Sequence, residues 1–267
     1  MKKQKTFIYK DELTDDFGTT VKRHKPLPKD YRYSMNIFTR ISSFILYRLI
    51  ARPFAYLYMK IKFGLRIKNK AILRRYTGGA LIFSNHPLLC GDAFLPNLLS
   101  VRRRNFTVTG SDASSLTPLL WIMKCVGNIP LGTDIRQSRE MMRALKAELD
   151  RGNTVTVFPE AHVWPYYRGV RRFSADCARF SSLLSVPVFS LTVCYSKRRF
   201  FKTPRVTAYL DGPFYPDMTL PSSQRCEELR DRIYLAMLRR TDEYSTYSPY
   251  TYEKQKEKEV EQTHSGS

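Results

Sequence analysis

A helix followed at once by a strand, between residues 134 and 158, constrains the fold more than any other part of the sequence. Asp134 is placed to cap a helix over IRQSREMMRALKAELDR, and Gly152 is placed to end it. The β-branched run TVTVF at residues 154–158 then predicts a strand. A long amphipathic helix that leads straight into a buried strand is typical of layered α/β proteins.

Further runs extend this alternation from about residue 70 to residue 240. Strands are predicted for ALIF at 80–83, FTVT at 106–109, NIPL at 128–131, VPVFSLTV at 186–193 and RVTAYL at 205–210. Helices are predicted for SSLTPLLWIMK at 114–124 and from Ser222 or Ser223 to about Arg240. We therefore expect an α/β fold, a layered mixed sheet flanked by helices.

The charge of the chain indicates an anionic partner. Its 267 residues include 45 Lys+Arg and 24 Asp+Glu, which gives a formal net charge of +21. A hydrophobic content of 43% excludes wholesale disorder. Nucleic acid, an anionic membrane surface and phosphorylated substrates all remain open as partners. The five cysteines match no zinc pattern, and no signal peptide is visible, so we expect reduced thiols in the cytosol.

The segment from residue 35 to residue 63 is apolar nearly all round but interrupted by basic residues. Its sequence, MNIFTRISSFILYRLIARPFAYLYMKIKF, is too often charged to be a clean transmembrane helix. Pro53 is expected to divide it into a helical hairpin. Two interpretations stay open, a hairpin buried in the core and a hairpin that lies in a membrane interface with its arginines at the phosphates.

Composition divides the chain into four parts. Residues 1–30 are polar and are expected to form a tail, and residues 31–68 form the membrane-interface helical segment. Residues 69–240 carry the predicted α/β domain. Residues 241–267 are expected to form a second polar tail.

The sequence FSNHPLLCGDAF, residues 83–94, places a histidine and an aspartate directly after a predicted strand. His86 would lie at the carboxyl end of that strand, the edge at which open α/β sheets bind ligands. Asp92 is close enough in sequence to accept a hydrogen bond from Nδ1, which would leave Nε2 as a general base. A loop histidine beside a helix-capping aspartate is the alternative. A Cys90/His86 nucleophile is a further one, weakened by the apolar setting of Cys90.

A second polar group follows the predicted strand at 154–158. Glu160 comes at the carboxyl end of that strand, in FPEAHVWPYYRGVRRF. Three arginines interleaved with aromatic residues follow, and guanidinium groups suit phosphate. They are Arg168, Arg171 and Arg172. A solvated basic loop is the alternative, and His162 is either a second acid/base group or a local structural residue.

Together with two shorter segments, these groups resemble the glycerolipid acyltransferases, which include lysophosphatidic acid acyltransferase. The chain carries four sequence blocks of that family in order. The residues NH…GDAF and PEAHVWPYY are also similar to a bacterial lysophospholipid acyltransferase-like branch. The blocks are NHPLLCGD at 85–92, GNIP at 127–130, FPE at 158–160 and VPV at 186–188.

The chain departs from the commonest form of the family at three places. Five residues instead of four separate His86 from Asp92, and Gly91 would absorb the extra one in a tight turn. The usual FPEGTRS is replaced after Glu160 by Ala161, His162 and Val163. The arginine of the second block is missing, because Thr133 stands near its place. Arginines elsewhere are candidates to replace the missing ones, namely Arg136, Arg139, Arg168, Arg171 and Arg172.

The resemblance implies an activity, partners and a location. A fatty acyl group would pass from acyl-CoA or acyl carrier protein to a hydroxyl of a lysophospholipid or glycerol phosphate. His86 would be the general base, Asp92 would orient it, and Glu160 would order the acceptor site or its phosphate-binding arginines. No metal and no cofactor beyond the acyl donor is implied, and no nucleic acid. The enzyme would act in phospholipid biosynthesis at the cytoplasmic face of the cell membrane, as a peripheral or monotopic protein.

Functions other than acyl transfer to a lipid are also compatible with the sequence. An acyl hydrolase or thioesterase would use the same His86 with water as the acceptor. A basic nucleic-acid-binding or lipid-binding protein without catalysis would explain the charge but not the ordered blocks. An inactive member of the family is a further alternative, because the third block is altered.

Overall fold

The computed structural model describes residues 5–18, 27–89, 91–110 and 119–255. Cys90 and residues 114–118 of the helix predicted at 114–124 lie outside the described residues. The strands are β1 (Lys5–Tyr9), β2 (Arg66–Lys68), β3 (Ala80–Ser84), β4 (Asn105–Thr109), β5 (Asn128–Pro130), β6 (Thr154–Val157), β7 (Val188–Ser196), β8 (Arg205–Phe214) and β9 (Tyr250–Lys254). The α-helices are α1 (Ile37–Ile45), α2 (Arg52–Phe63), α3 (Lys70–Arg75), α4 (Leu120–Cys125), α5 (Ile135–Asp150), α6 (Arg179–Leu184) and α7 (Ser222–Tyr244).

Seven strands form one mixed sheet between two layers of helices. Their order is β2-β8-β7-β3-β6-β4-β5, and every neighbouring pair is parallel except β7 and β8, which are antiparallel. The side chains of β3 alternate between two apolar cores, with Leu81 and Phe83 in one and Ala80 and Ile82 in the other. The α/β fold expected from the sequence is confirmed.

Helix α5 and strand β6 lie where they were predicted. The Asp134 side chain accepts a hydrogen bond from the backbone N–H of Gln137 and caps α5. Gly152, at φ = 77°, makes the turn from α5 into β6. Met141, Leu145 and Leu149 form the buried stripe of α5. The carboxyl ends of β3 and β6 are neighbours in the sheet, so His86 and Glu160 approach the same edge.

The predicted hairpin at residues 35–63 is corrected to a run of helix without a loop. A π-helical stretch (Leu46–Ala51) joins α1 directly to α2. Pro53 makes no break, because the hydrogen-bond pattern is π-helical just before it and Pro53 falls in the first turn of α2 that follows. Among the described residues, no helix combines the length and the apolar character that crossing a bilayer requires.

The polar tails expected at the two ends contain ordered strands. β1 and β9 pair in parallel, with Phe7 opposite Tyr252. α7 also runs past the predicted end at Arg240 to Tyr244. The reason is a pairing between distant parts of the chain, since the aromatic rings of KTFIY and YTYEK pack against each other, against Phe17 and against the loop after β6. We call β1, residues 10–18 and β9 the terminal clasp.

Candidate active site

The turn that carries the histidine is fixed to the neighbouring strand by a buried asparagine. Asn85 directly follows β3, and its side-chain amide donates to the carbonyl of Val193 at 3.1 Å. Oδ1 of Asn85 accepts from the backbone N–H of Val193 at 2.8 Å. The hydroxyl of Tyr195 donates to the carbonyl of Pro87 at 3.1 Å. These bonds hold the backbone on both sides of His86 in one position.

The imidazole of His86 is bonded to the buried carboxylate of Asp92. Nδ1 of His86 lies 2.6 Å from Oδ2 of Asp92, which also accepts from the N–H of Leu88 at 2.8 Å. The ring stacks on Phe158, with ring centroids 4.4 Å apart. Within the residues that the structure describes, Nε2 has no hydrogen-bond partner. The side chain is 19% exposed, so Nε2 is the nitrogen available to a substrate.

The buried position of Asp92 makes it sensitive to the charge of His86. Burial raises the pKa of Asp92, and the hydrogen bond and positive charge of His86 oppose that rise. A carboxylate with so little water around it is stabilised most by an adjacent cation. An imidazolium that forms when His86 accepts a proton would therefore be stabilised by the adjacent Asp92 carboxylate.

Glu160 approaches the same turn from the end of β6. Its Oε2 accepts from the backbone N–H of His86 at 3.2 Å, and its Oε1 accepts from the N–H of Arg171 at 3.1 Å. The Arg171 guanidinium completes a buried ion pair, with Nη2 3.4 Å from Oε2. Burial raises the pKa of Glu160, and the charge of Arg171 is the largest opposing effect. Glu160 thus connects the turn of His86 to the loop after β6.

A protein-family model matches the part of the chain that carries these side chains. Residues 64–194, which contain His86, Asp92 and Glu160, match the family model described as Acyltransferase.

These residues belong to the acyltransferase family.

The match confirms the resemblance read from the four blocks, and it makes the chain an acyltransferase enzyme. Comparison with the curated proteins finds no match. The fold is similar to the crystal structure of the 1-acyl-sn-glycerophosphate (LPA) acyltransferase PlsC from Thermotoga maritima, with a TM-score of 0.56. The two sequences are 18% identical, and the superposition covers 80% of this chain and 86% of that chain.

The predicted arginines of the acyltransferase domain do not form one cluster. Arg171 is 1% exposed and donates to the carbonyls of Glu12, Glu160 and His162, so no substrate phosphate can reach it. Arg168 and Arg172 are exposed on the same loop. Arg136 is exposed on α5, where it pairs with Glu140. Arg168 and Arg172 remain exposed candidates on the loop after β6, whereas Arg171 is enclosed by the protein.

The extra residue between His86 and Asp92 is accommodated by close packing. Residues 91–94 form a turn in which the N–H groups of Phe94 and Leu95 donate to the carbonyl of Gly91. A Cβ at Gly91 would lie 3.0 Å from Leu88 and 3.2 Å from the sulfur of Met59. Glycine is therefore needed here for space against α2 rather than for a left-handed backbone.

The terminal clasp covers the altered third block of the acyltransferase, and sequence reasoning missed it. The indole N–H of Trp164 donates to the carbonyl of Asp15 at 2.7 Å, and its ring stacks on Tyr252 at 4.9 Å. Nη1 of Arg171 donates to the carbonyl of Glu12 at 2.9 Å. His162 lies 3.6 Å from Asp16, which fits a local structural role. The alternating aromatic residues of KTFIY and YTYEK were the sequence feature that could have indicated these strands.

No cluster of three or more histidine, cysteine or acidic side chains that could hold a metal ion occurs in residues 5–18, 27–89, 91–110 and 119–255.

Replacing Ala161 with glycine is expected to stabilise the protein. Ala161 stands where the family usually has glycine, and its φ is 61°, in the left-handed region. That conformation costs an L-residue about 1–2 kcal/mol, and the extra freedom of glycine in the unfolded chain offsets about 0.4–1 kcal/mol. We expect a gain of roughly 0.5–1 kcal/mol, measured by thermal or urea unfolding.

The matched control for Ala161→Gly is Ala178→Gly. Ala178 is buried at φ = −71°, an ordinary right-handed conformation, so glycine there should lower the stability. Equal destabilisation by the two substitutions would contradict the strain assigned to Ala161.

Proposed function

We propose that this acyltransferase moves a fatty acyl group from a thioester donor to a hydroxyl of a lysophospholipid or of glycerol phosphate. The donor is acyl-CoA or acyl carrier protein. The observation that carries the proposal is the 2.6 Å contact between Nδ1 of His86 and the buried carboxylate of Asp92, which leaves Nε2 available. That geometry suits general-base activation of a hydroxyl, and it needs no nucleophilic side chain.

The proposed reaction proceeds in one displacement. Nε2 of His86 removes the proton of the acceptor hydroxyl while its oxygen attacks the thioester carbonyl carbon. Asp92 stabilises the imidazolium that forms. When the tetrahedral intermediate collapses, the carbon–sulfur bond breaks, and the departing thiolate takes the proton from His86. The products are an ester and a free thiol, and Glu160 holds the backbone of His86 throughout.

The phosphate of the acceptor is proposed to bind beside the loop after β6. Arg168 and Arg172 are exposed there, and neither forms an ion pair within the described part of the chain. Exposed guanidinium groups are suited to hold a phosphate in a bidentate manner. The net charge of +21 favours phosphorylated acceptors and CoA in the same way.

Contact with the membrane is proposed for the helical run from α1 to α2. Large apolar side chains are exposed along it: Ile37, Phe38, Ile41, Phe44, Leu49, Ile50, Phe54, Leu57 and Ile61. This exposure disfavours the alternative of a hairpin buried in the core. A surface of this size with arginines at its borders suits the interface of an anionic membrane. We propose a peripheral or monotopic enzyme at the cytoplasmic face.

An acyl-transfer assay with a panel of acceptors tests the proposed function. Labelled acyl-CoA and acyl carrier protein would be offered to the full chain with lysophosphatidate, other lysophospholipids and glycerol phosphate on anionic vesicles. A labelled lipid product is the expected result. Release of free fatty acid at the same rate with and without acceptor would instead show a thioesterase. Binding to DNA with no product and no vesicle binding would overturn the proposal.

Replacing Asp92 with asparagine is expected to reduce acyl transfer without destabilising the fold. An amide oxygen in the place of Oδ2 keeps the bonds to His86 and Leu88 but removes the charge that stabilises imidazolium. The folded pKa of Asp92 is raised above the unfolded value of about 3.9. The stability contributed by its neutral form is therefore lost as the pH rises through the folded pKa.

The asparagine variant should consequently gain stability relative to the wild type as the pH rises from about 4. Urea unfolding of both proteins across that range measures the difference, and labelled acyl transfer measures the rate. A variant with wild-type activity would contradict the role of the Asp92 charge.

A further inference from the structure

A cavity outside the catalytic turn has the character of a ligand site. It measures about 710 Å³ and lies between α5, the end strand β5, the start of α1 and the segment at residues 30–35. Cavities of roughly 300–1,000 Å³ are typical of small-molecule sites. None of its lining residues is His86, Asp92 or Glu160, so it is separate from the site described above.

Basic side chains predominate around this cavity. Six line it, against three carboxylates. The six are Arg32, Arg40, Lys124, Arg136, Arg143 and Arg151. Two of the carboxylates, Glu140 and Glu148, are already engaged by arginines of the cavity. The excess of three positive charges indicates an anionic occupant.

Two of the arginines have no partner among the described residues. Arg32 and Arg143 are exposed at the cavity and make no side-chain hydrogen bond or ion pair with any described residue. Lys124 is engaged differently, since its amine donates to the carbonyls of Arg32 and Ser34 and holds the wall at residues 30–35. The wall is therefore fixed while two guanidinium groups remain available.

A hydroxyl in the cavity wall is also buried and unbonded within the part of the chain that the structure describes. Tyr33 is 8% exposed, and no described residue bonds its hydroxyl. A buried hydroxyl without a bond costs free energy, which a hydrogen bond to a bound ligand would remove. A hydroxyl donor that lines the same cavity as two available guanidinium groups suits the oxygens of a phosphate.

The position of the cavity indicates where such a phosphate comes from. Arg40 belongs both to the cavity lining and to α1. At about 100° per residue, Arg40 borders the exposed face formed by Ile37, Ile41 and Phe44. Arginines that border an apolar interfacial helix lie at the level of the lipid phosphates. The cavity would thus open at that level.

We propose that this cavity binds the phosphate-bearing headgroup of an anionic phospholipid. Arg32 and Arg143 contact the phosphate oxygens, and Tyr33 donates its hydroxyl to the same group. The assignment to a lipid, rather than to a free phosphate, rests on the membrane contact proposed for α1. The bound lipid would be neither acceptor nor product but would hold α1 and α5 at the membrane surface.

Calorimetric titration with dihexanoyl phosphatidylglycerol, kept below its micelle concentration, tests the site. Both hydroxyls of its lipid glycerol are already acylated, so it is not a lysolipid acceptor, and it needs no membrane. The full chain is expected to bind it saturably. Arg32→Gln/Arg143→Gln should weaken binding about tenfold or more, because bonds to charged groups are lost. Tyr33→Phe should weaken binding about two- to tenfold without lowering the unfolding temperature.

The matched control is Lys146→Gln/Arg239→Gln, which removes the same charge from exposed positions outside the cavity. It should bind like the wild type. Equal weakening by both double variants, or no saturable binding by the wild type, would overturn the site. Inorganic phosphate or CoA bound as tightly as the lipid would overturn the lipid assignment. Acyl transfer and vesicle flotation of the same proteins report separately on the proposed function.

Discussion

Replacing His86 with glutamine is expected to lower the acyl-transfer rate by about 10²–10⁴-fold, the usual contribution of a general base. Glutamine can still bond Asp92 but has no basic nitrogen in place of Nε2. Because His86 is partly exposed and is held largely through its backbone, the fold should remain intact. Release of CoA thiol and labelled lipid product would be measured together, with far-UV circular dichroism as the check on folding.

The second histidine near the site provides the control for this experiment. His162 lies on the loop after β6, and its Nδ1 is 3.6 Å from a carboxylate oxygen of Asp16. His162→Gln should retain acyl transfer within a few-fold of the wild type. If His162→Gln lost as much activity as His86→Gln, or if His86→Gln kept the wild-type rate, the proposed base would be wrong.

Replacing Glu160 with glutamine is expected to destabilise the protein by about 3–5 kcal/mol, because Arg171 would keep a buried charge without its carboxylate. For a chain of this size the unfolding midpoint should fall by roughly 6–20 °C. Glutamine keeps an acceptor oxygen for the N–H of His86, so the folded variant should retain much of its activity. Differential scanning calorimetry and acyl transfer at low temperature measure the two effects.

A second substitution distinguishes this structural role from contact with the substrate. In Glu160→Gln/Arg171→Met the buried cation is also removed, so part of the lost stability should return. A coupling free energy near zero in this double-mutant cycle would contradict the ion pair. An increase in KM at unchanged stability would instead indicate that Glu160 contacts the acceptor.

The parts of the fold that could be predicted are those with strong local patterns. α5 has an amphipathic repeat, a capping aspartate and a terminal glycine, and β6 and β7 are continuous β-branched or apolar runs. β2 and α3 were missed because they are short and basic, and β2 exists by pairing with β8. Tertiary contacts outweigh local propensity in such elements.

The same division holds within the site. His86, Asp92 and Glu160 could be placed at the sheet edge because each follows a predictable strand. The burial of Arg171 could not be predicted from its neighbours, since Glu12 and Trp164 enclose it only after the terminal clasp has formed. Arg168 and Arg171 look alike in sequence, yet one is exposed and the other is enclosed.

The parallel pairing of β1 with β9 has a consequence for synthesis of the chain on the ribosome. β1 is made first among the described strands, and β9 is made last, yet both pack on the loop that holds Glu160 and Arg171. Domains fold as their residues emerge, so the seven-stranded sheet can assemble before residues 250–254 exist. The sheet edge that carries His86 and Glu160 would then be completed only after β9 has been made, when α1 and α2 have already left the ribosome.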